Sequence, residues 1–161
     1  MTTPSLRPVT PNDVHAIAEL QVRAWRHEHD GFVDEAHMPT LEDRIGLWNG
    51  VRPGEAWLAE HAEDGGRIIG VVGVHDGEIG VLHVDPDLLD EDGADGRDVD
   101  GLLLRHAEDA LRAAGHSSIL LWTFAENHHN RALYARHGWT PDGAQQETLP
   151  GVVEVRYRRE L

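Results

Sequence analysis

The chain has no cysteine and no lysine; all 14 of its basic residues are arginine. Without cysteine there is no disulfide, no thiolate zinc site and no thiol nucleophile. Without lysine there is no Schiff base, no lysine general base and no side-chain amine of its own to modify. Positive charge is scarce: 29 acidic residues set the formal charge at −15. Phosphate backbones need clustered cations, so nucleic acid is excluded as a partner. The acidity favours solubility and attracts cationic or amine ligands at long range. No apolar run approaches the ~20 residues a membrane span requires. The first residues, Met1 to Ser5, lack the charged and apolar regions of a signal peptide, so a soluble cytoplasmic protein with no membrane partner is expected.

At 161 residues the expectation is a single domain over 1–161. Residues 6–9 read as a short strand ended by Pro11-Asn12-Asp13, a turn and helix-start signal. Val14, Ile17, Ala18, Leu20, Val22 and Trp25 then recur near helical spacing, predicting a helix to about His29. A second helix is expected over 41–48, capped by Thr40. Strands follow over 56–60, 67–75 and 78–85, joined by turns at Asp64-Gly65-Gly66 and Asp76-Gly77. Helix 102–114, with Gly115 at its end, precedes an apolar strand over 118–124. A helix over 127–137 and strands over 139–148 and 152–159 complete the order β-α-α-β-β-β-α-β-α-β-β, an α/β layout around a mixed sheet.

Several segments carry a resemblance in shared order: "IAELQVRAWRHEHDGF" (17–32), "WLAEHAEDGGRIIGVVGV" (57–74), "GEIGVLHVDP" (77–86), "LLWTFAENHHNRALYARHGW" (120–139) and "EVRYRREL" (154–161). Together they resemble the GNAT superfamily of acyl-CoA-dependent N-acyltransferases. The resemblance implies a sheet of about seven mostly antiparallel strands, splayed between the fourth and fifth. It also implies transfer of an acetyl or other acyl group from acyl-CoA to an amine of a small molecule or peptide. A homodimer is compatible with it.

The residue roles it implies are specific. Backbone groups near Leu82, His83 and Val84 would hold the pantetheine arm, with Asn127 contacting it. The stretch Gly96, Arg97, Asp98, Val99, Asp100 and Gly101 corresponds to the pyrophosphate loop. Glu78 is the first candidate base that deprotonates the amine, and His83 the second, with an ordinary pKa of ~6.5. Tyr134 is the candidate acid for the departing thiolate. Each also has a structural reading: an exposed strand-end carboxylate, a structural histidine, helix packing for Tyr134, an N-cap for Asn127.

The loop departs from the pattern. "GRDVDGLLL" begins ten residues after Pro86, where similar sequences reach "GRGVGRALL" after about four, and Asp98 and Asp100 stand at glycine positions. Seven acidic residues lie between Asp87 and Asp100. A carboxylate ~4 Å from a phosphate opposes it by on the order of 4 kcal/mol at an effective dielectric of ~20. A helix start returns only about 0.3–1 kcal/mol per charge, seldom above ~2. Asp98 or Asp100 is expected instead to N-cap the helix beginning near Gly101, leaving acetyl-CoA weakly bound. The alternative to an enzyme is then a GNAT-fold pseudoenzyme or ligand-binding protein that no longer binds acetyl-CoA in the usual way; different chemistry on the scaffold is a third reading. No metal is expected. His27-x-His29 and His128-His129 lack ligand spacing, and the acidic stretch fails the EF-hand pattern because Ala107 falls where a bidentate Glu belongs.

Overall fold

A computed structural model of the chain describes residues 4–29, 31, 33–52, 54–61, 65–89 and 99–161. Its elements are β1 (Ser5–Pro8), α1 (Val14–His29), α2 (Leu41–Asn49), β2 (Ala56–His61), β3 (Arg67–His75), β4 (Glu78–Val84), α3 (Pro86–Leu89), α4 (Val99–Ala113), β5 (Ser118–Phe124), α5 (His128–Arg136), β6 (Thr140–Leu149) and β7 (Val152–Glu160). They form one seven-stranded sheet in the order β1-β2-β3-β4-β5-β7-β6. Only β4 and β5 run parallel; every other neighbouring pair is antiparallel. Among the described residues no helix is long and apolar enough to cross a membrane.

The expected elements are present, with shifted ends. Helix α4 begins at Val99, three residues before the expected 102. Val99 continues the buried series Leu103, Ala107 and Leu111 at a helical repeat of four, so the apolar stripe itself carries the helix back. The expectation that Asp100 caps this helix is therefore corrected: Asp100 lies inside the first turn and accepts a hydrogen bond from the Gly101 N–H at 2.8 Å. The short helix α3 after β4 was not foreseen. Asp85 starts it by accepting from the Asp87 N–H at 3.0 Å. The helix-start signal at 11–13 also resolves differently, because Asp13 folds back to accept from the Thr10 N–H at 2.8 Å while paired to Arg7. At Asp76-Gly77 both residues take positive φ, 50° and 82°, as a two-residue hairpin turn requires.

The two faces of the sheet bury separate clusters. One holds Val99, Leu103, Leu104, Ala107 and Leu111 of α4 with Leu133 and Tyr134 of α5; the other holds Ile17 and Leu20 of α1 with Trp48 of α2. At Gly70 in β3 the side chains of α4 lie close to the strand, since a Cβ there would meet Leu103 Cδ1 at 2.7 Å and Val99 Cγ1 at 3.2 Å.

The register contains one irregularity that shapes the rest. Gly73 pairs with Val81, but the next β3 residue, Val74, pairs with Ile79. Gly80 is thus an extra residue, a β-bulge in β4. A bulge bends its strand and steepens the local twist. It also resets the side-chain alternation. Beyond it Leu82 and Val84 belong to the α4 side, and Val81 to the α1 side. The register between β4 and β5 holds only Glu78↔Leu120 and Ile79↔Leu121, ending where the bulge begins.

Gly70→Ala is expected to cost about 1–3 kcal/mol by overpacking a rigid contact. Gly80→Ala, whose Cβ meets nothing within 4 Å, should cost far less. Denaturant melts of the two variants check this ordering.

Candidate active site

Where β4 and β5 part, a cavity of about 170 Å³ opens between them. Leu82 and His83 line it from β4, Leu121 to Phe124 from β5, Trp25, Glu28 and His29 from the end of α1, and Asn130 and Tyr134 from α5. A parted pair of parallel strands leaves one edge of each without a ladder partner, so backbone N–H and C=O groups on those edges are open to a ligand.

Buried polar groups concentrate here. His83 Nδ1 stands 3.5 Å from Glu28 Oε1, with both side chains about one-tenth exposed. That distance is long for a hydrogen bond, and Nδ1 has no hydrogen-bond partner among the described residues. His29 holds the Trp25 carbonyl through Nδ1 at 2.7 Å, and burial lowers the His29 pKa below its ordinary value. The rings of Trp25, His29 and Phe124 stack in a chain, at 4.1 Å and 4.8 Å between successive centroids, and join α1 to the end of β5. Tyr134 is buried against Trp139 and Tyr157. Burial first, and the charges of Glu28 and Asp100 second, push its phenol well above the usual value, so it holds its proton at neutral pH.

The cavity has neighbours at both ends. A small recess shares Glu28, Leu82 and Asn130 with it and adds Val84, Asp100 and His129. There burial pushes the Asp100 carboxyl up, while the Gly101 N–H and the charges of His129, Arg136 and His137 pull it back less. At the other end a cavity of about 380 Å³ shares Trp25, Phe124 and Glu154. The array of recesses runs from the start of α4, through the parted strands, to the space under α2.

No protein-family model matches the chain. A GCN5-related N-acetyltransferase from Rhodopseudomonas palustris superimposes over 100% of this chain and 98% of its own, with a TM-score of 0.78 at 19% identity. The PaiA N-acetyltransferase of Thermoplasma acidophilum, solved in complex with coenzyme A, does so over 99% and 100%, with a TM-score of 0.72 at 13% identity. This chain has the GNAT fold. The mycothiol acetyltransferase of Beutenbergia cavernae is 34% identical over 144 residues, 82% of this chain. The chain spans 43% of that relative's length.

Within the GNAT fold the residues singled out from sequence scatter. The parted strands bring together His83, Tyr134 and Leu82, with Val84 in the adjoining recess. Asn127 caps α5, its Oδ1 accepting from the Asn130 N–H at 3.1 Å, while its buried Nδ2 has no partner among the described residues. Glu78 sits at the closed end, beside the last β4–β5 register pairs, and does not line the cavity. Its carboxyl is pushed up by burial against the pull of Arg156. Val99 packs in the core, and Gly101 makes room for His137, whose Nε2 would lie 3.1 Å from a Cβ. Gly96, Arg97 and Asp98 lie outside the described residues. No group of three or more potential metal ligands gathers among the described residues.

Sequence reasoning missed Glu28, His29 and Trp25 as site residues. Trp25 and His29 are one helical turn apart at i, i+4, and that shared face was the available signal. A histidine whose folded pKa is lowered destabilises the fold as it is forced to protonate. Stability should therefore fall as pH drops through about 6.5 toward the lower folded value, and His29→Gln should flatten that part of the curve. Urea melts of both proteins across pH 5–8 test this.

Proposed function

We propose that this chain is an N-acetyltransferase that moves an acetyl group from acetyl-CoA to an amine of a small molecule or peptide. The observation that carries the reading is the parting of β4 from β5 at Gly80, with a polar cavity across the gap that holds His83, Glu28 and Tyr134. The bound coenzyme A of the Thermoplasma protein and the similarity to a mycothiol acetyltransferase support it.

The residues present fit the arm of such a cofactor. The laddered register ends at Ile79, leaving backbone groups from Gly80 to Val84 for amide-rich pantetheine, and the orphaned Nδ2 of Asn127 is a buried donor in want of an acceptor. Bound acetyl-CoA would supply a thioester whose acetyl carbon exchanges its bond to sulfur for one to the amine nitrogen, with the coenzyme A thiol as leaving group. His83, with the Glu28 carboxylate 3.5 Å from its Nδ1, takes the ammonium proton that must leave before nitrogen can attack. Glu78, at the closed end of the gap with its carboxyl pushed up by burial, is the alternative base, acting through water. Tyr134 keeps its proton until a thiolate needs it. The aromatic chain of Trp25, His29 and Phe124 forms one wall of the gap.

The start of α4 favours weak retention of the cofactor. A phosphate there would meet a helix turn whose Gly101 N–H is already taken by Asp100. This is the observation behind the second reading, a protein that keeps the fold and the cleft but not efficient transfer.

Two measurements test these roles. Tyr134→Phe should lower kcat on the order of 10²-fold with little change in acetyl-CoA affinity; full activity would remove Tyr134 from the mechanism. Because the Asp100 pKa is raised in the fold, its carboxyl gains charge as pH rises, and acetyl-CoA affinity by calorimetry should fall in step. Asp100→Asn should remove that pH dependence and bind up to about tenfold tighter at alkaline pH, on the order of 1.4 kcal/mol.

A further inference from the structure

The cavity beyond Glu154 contains an arginine with nothing to bind. Arg44, on α2, lines it, and its Nε is buried with no hydrogen-bond partner. Among the described residues it makes no ion pair, whereas Arg7, Arg23, Arg26, Arg67, Arg112, Arg156, Arg158 and Arg159 each meet a carboxylate. The other described arginines without an acidic partner differ: Arg52, Arg105 and Arg136 are exposed to water, and Arg131 donates to Tyr157 and the Ala125 carbonyl. In a chain with twice as many acids as bases, a half-buried guanidinium left open is costly unless something supplies its acceptor.

The cavity's own carboxylates are engaged elsewhere. Asp43 accepts from the Thr40 N–H at 3.0 Å as the reciprocal cap of α2, and Glu154 accepts from the Thr148 hydroxyl. Trp25, Met38, Pro39 and Phe124 supply apolar parts of the cavity wall, beside the polar His37 and Thr148. The segment carrying Met38 is tied down through Arg26, which holds Glu35 at 2.7 Å. Glu154 lies on the wall shared with the gap between β4 and β5.

We infer that the acceptor is an amine that also carries a carboxylate, an amino acid or a compound of that class. Its carboxylate lies on the planar fork of Arg44, its apolar portion against the wall that Trp25 and Phe124 form, and its ammonium toward Glu154 and the gap. Guanidinium and carboxylate match in a bidentate fork that lysine does not reproduce. The transfer leaves the carboxylate unchanged: nitrogen gains the acetyl carbon and gives up one proton. The inference rests on the acetyltransferase reading for its reaction, and on the cavity alone for its binding.

The experiment pairs the proteinogenic L-amino acids with their carboxamides. Binding is followed by calorimetry without acetyl-CoA, and transfer by thiol release with it. The unmodified protein should bind at least one amino acid tenfold or more tightly than its amide. Arg44→Gln should abolish that difference and Arg44→Lys restore only part of it, with both variants melting like the parent. Equal binding of acid and amide, no binding of any amino acid, or a preference that survives Arg44→Gln overturns the inference. Arg44-dependent binding with no thiol release sustains it while removing the acetyltransferase reading, so the two fail separately.

Discussion

One extra residue in one strand governs this molecule. Gly80 interrupts the β3–β4 ladder, and the parallel pairing of β4 with β5 ends beside it after two register positions. A bulge adds bend and twist to its strand. From that point the strands cannot stay about 4.8 Å apart, as a continuous ladder requires. The opening is built into the sheet and does not depend on a moving loop. It lies between the two helical layers, so each layer lends residues to it: α1 supplies Glu28 and His29, and α5 supplies Asn130 and Tyr134.

The electrostatics follow from that opening. Most of the chain's charges sit in water or in ordinary pairs, and Asp85 shows how a buried one is made tolerable. Burial would raise its pKa, but the Asp87 N–H, Arg67 and Arg23 together hold it below the usual carboxylate value. Other buried groups are left without such partners. His83 Nδ1, Asn127 Nδ2 and Arg44 Nε are buried without hydrogen bonds. Groups left unsatisfied cost stability, and their sites are frequently those where a ligand completes the set. Glu78 at the start of β4 and Asp100 of α4, in the recess beside Val84, both have raised pKa values and hold protons more tightly than free carboxyls.

Much of the fold was legible in the residues. The apolar periodicity of α1, the Thr40 cap of α2 and the Asp76-Gly77 turn are local signals, and the structure has each of them. The limits of β3 and β5 were legible too, because a period of two bounded by turn residues is local information. The start of α4 was placed too late because Asp100 read as a cap, whereas burial of Val99 against the sheet outweighs a capping preference worth about 1 kcal/mol; the Asp98 alternative lies outside the described residues. Of the residues singled out by their place in a motif, His83 and Tyr134 line the cavity, whereas Asn127 caps α5. Glu28 and Arg44 were not legible, since nothing local marks an ordinary acidic or basic residue on a helix as facing a cavity.

By itself the sequence determined the order of elements, the acidity, and the absence of any thiol or lysine chemistry. All of these are properties of composition or of neighbours within a few residues. Only the tertiary structure decided which face His83 takes, that it meets Glu28, and that Arg44 stands open beyond Glu154. The face of His83 depends on a bulge that shifts alternation by one, and strand periodicity is blind to a single inserted residue until its partner strand supplies the register. The meetings of α1, α2, β4 and β7 across the gap depend on packing between residues far apart in the chain, which no local pattern encodes.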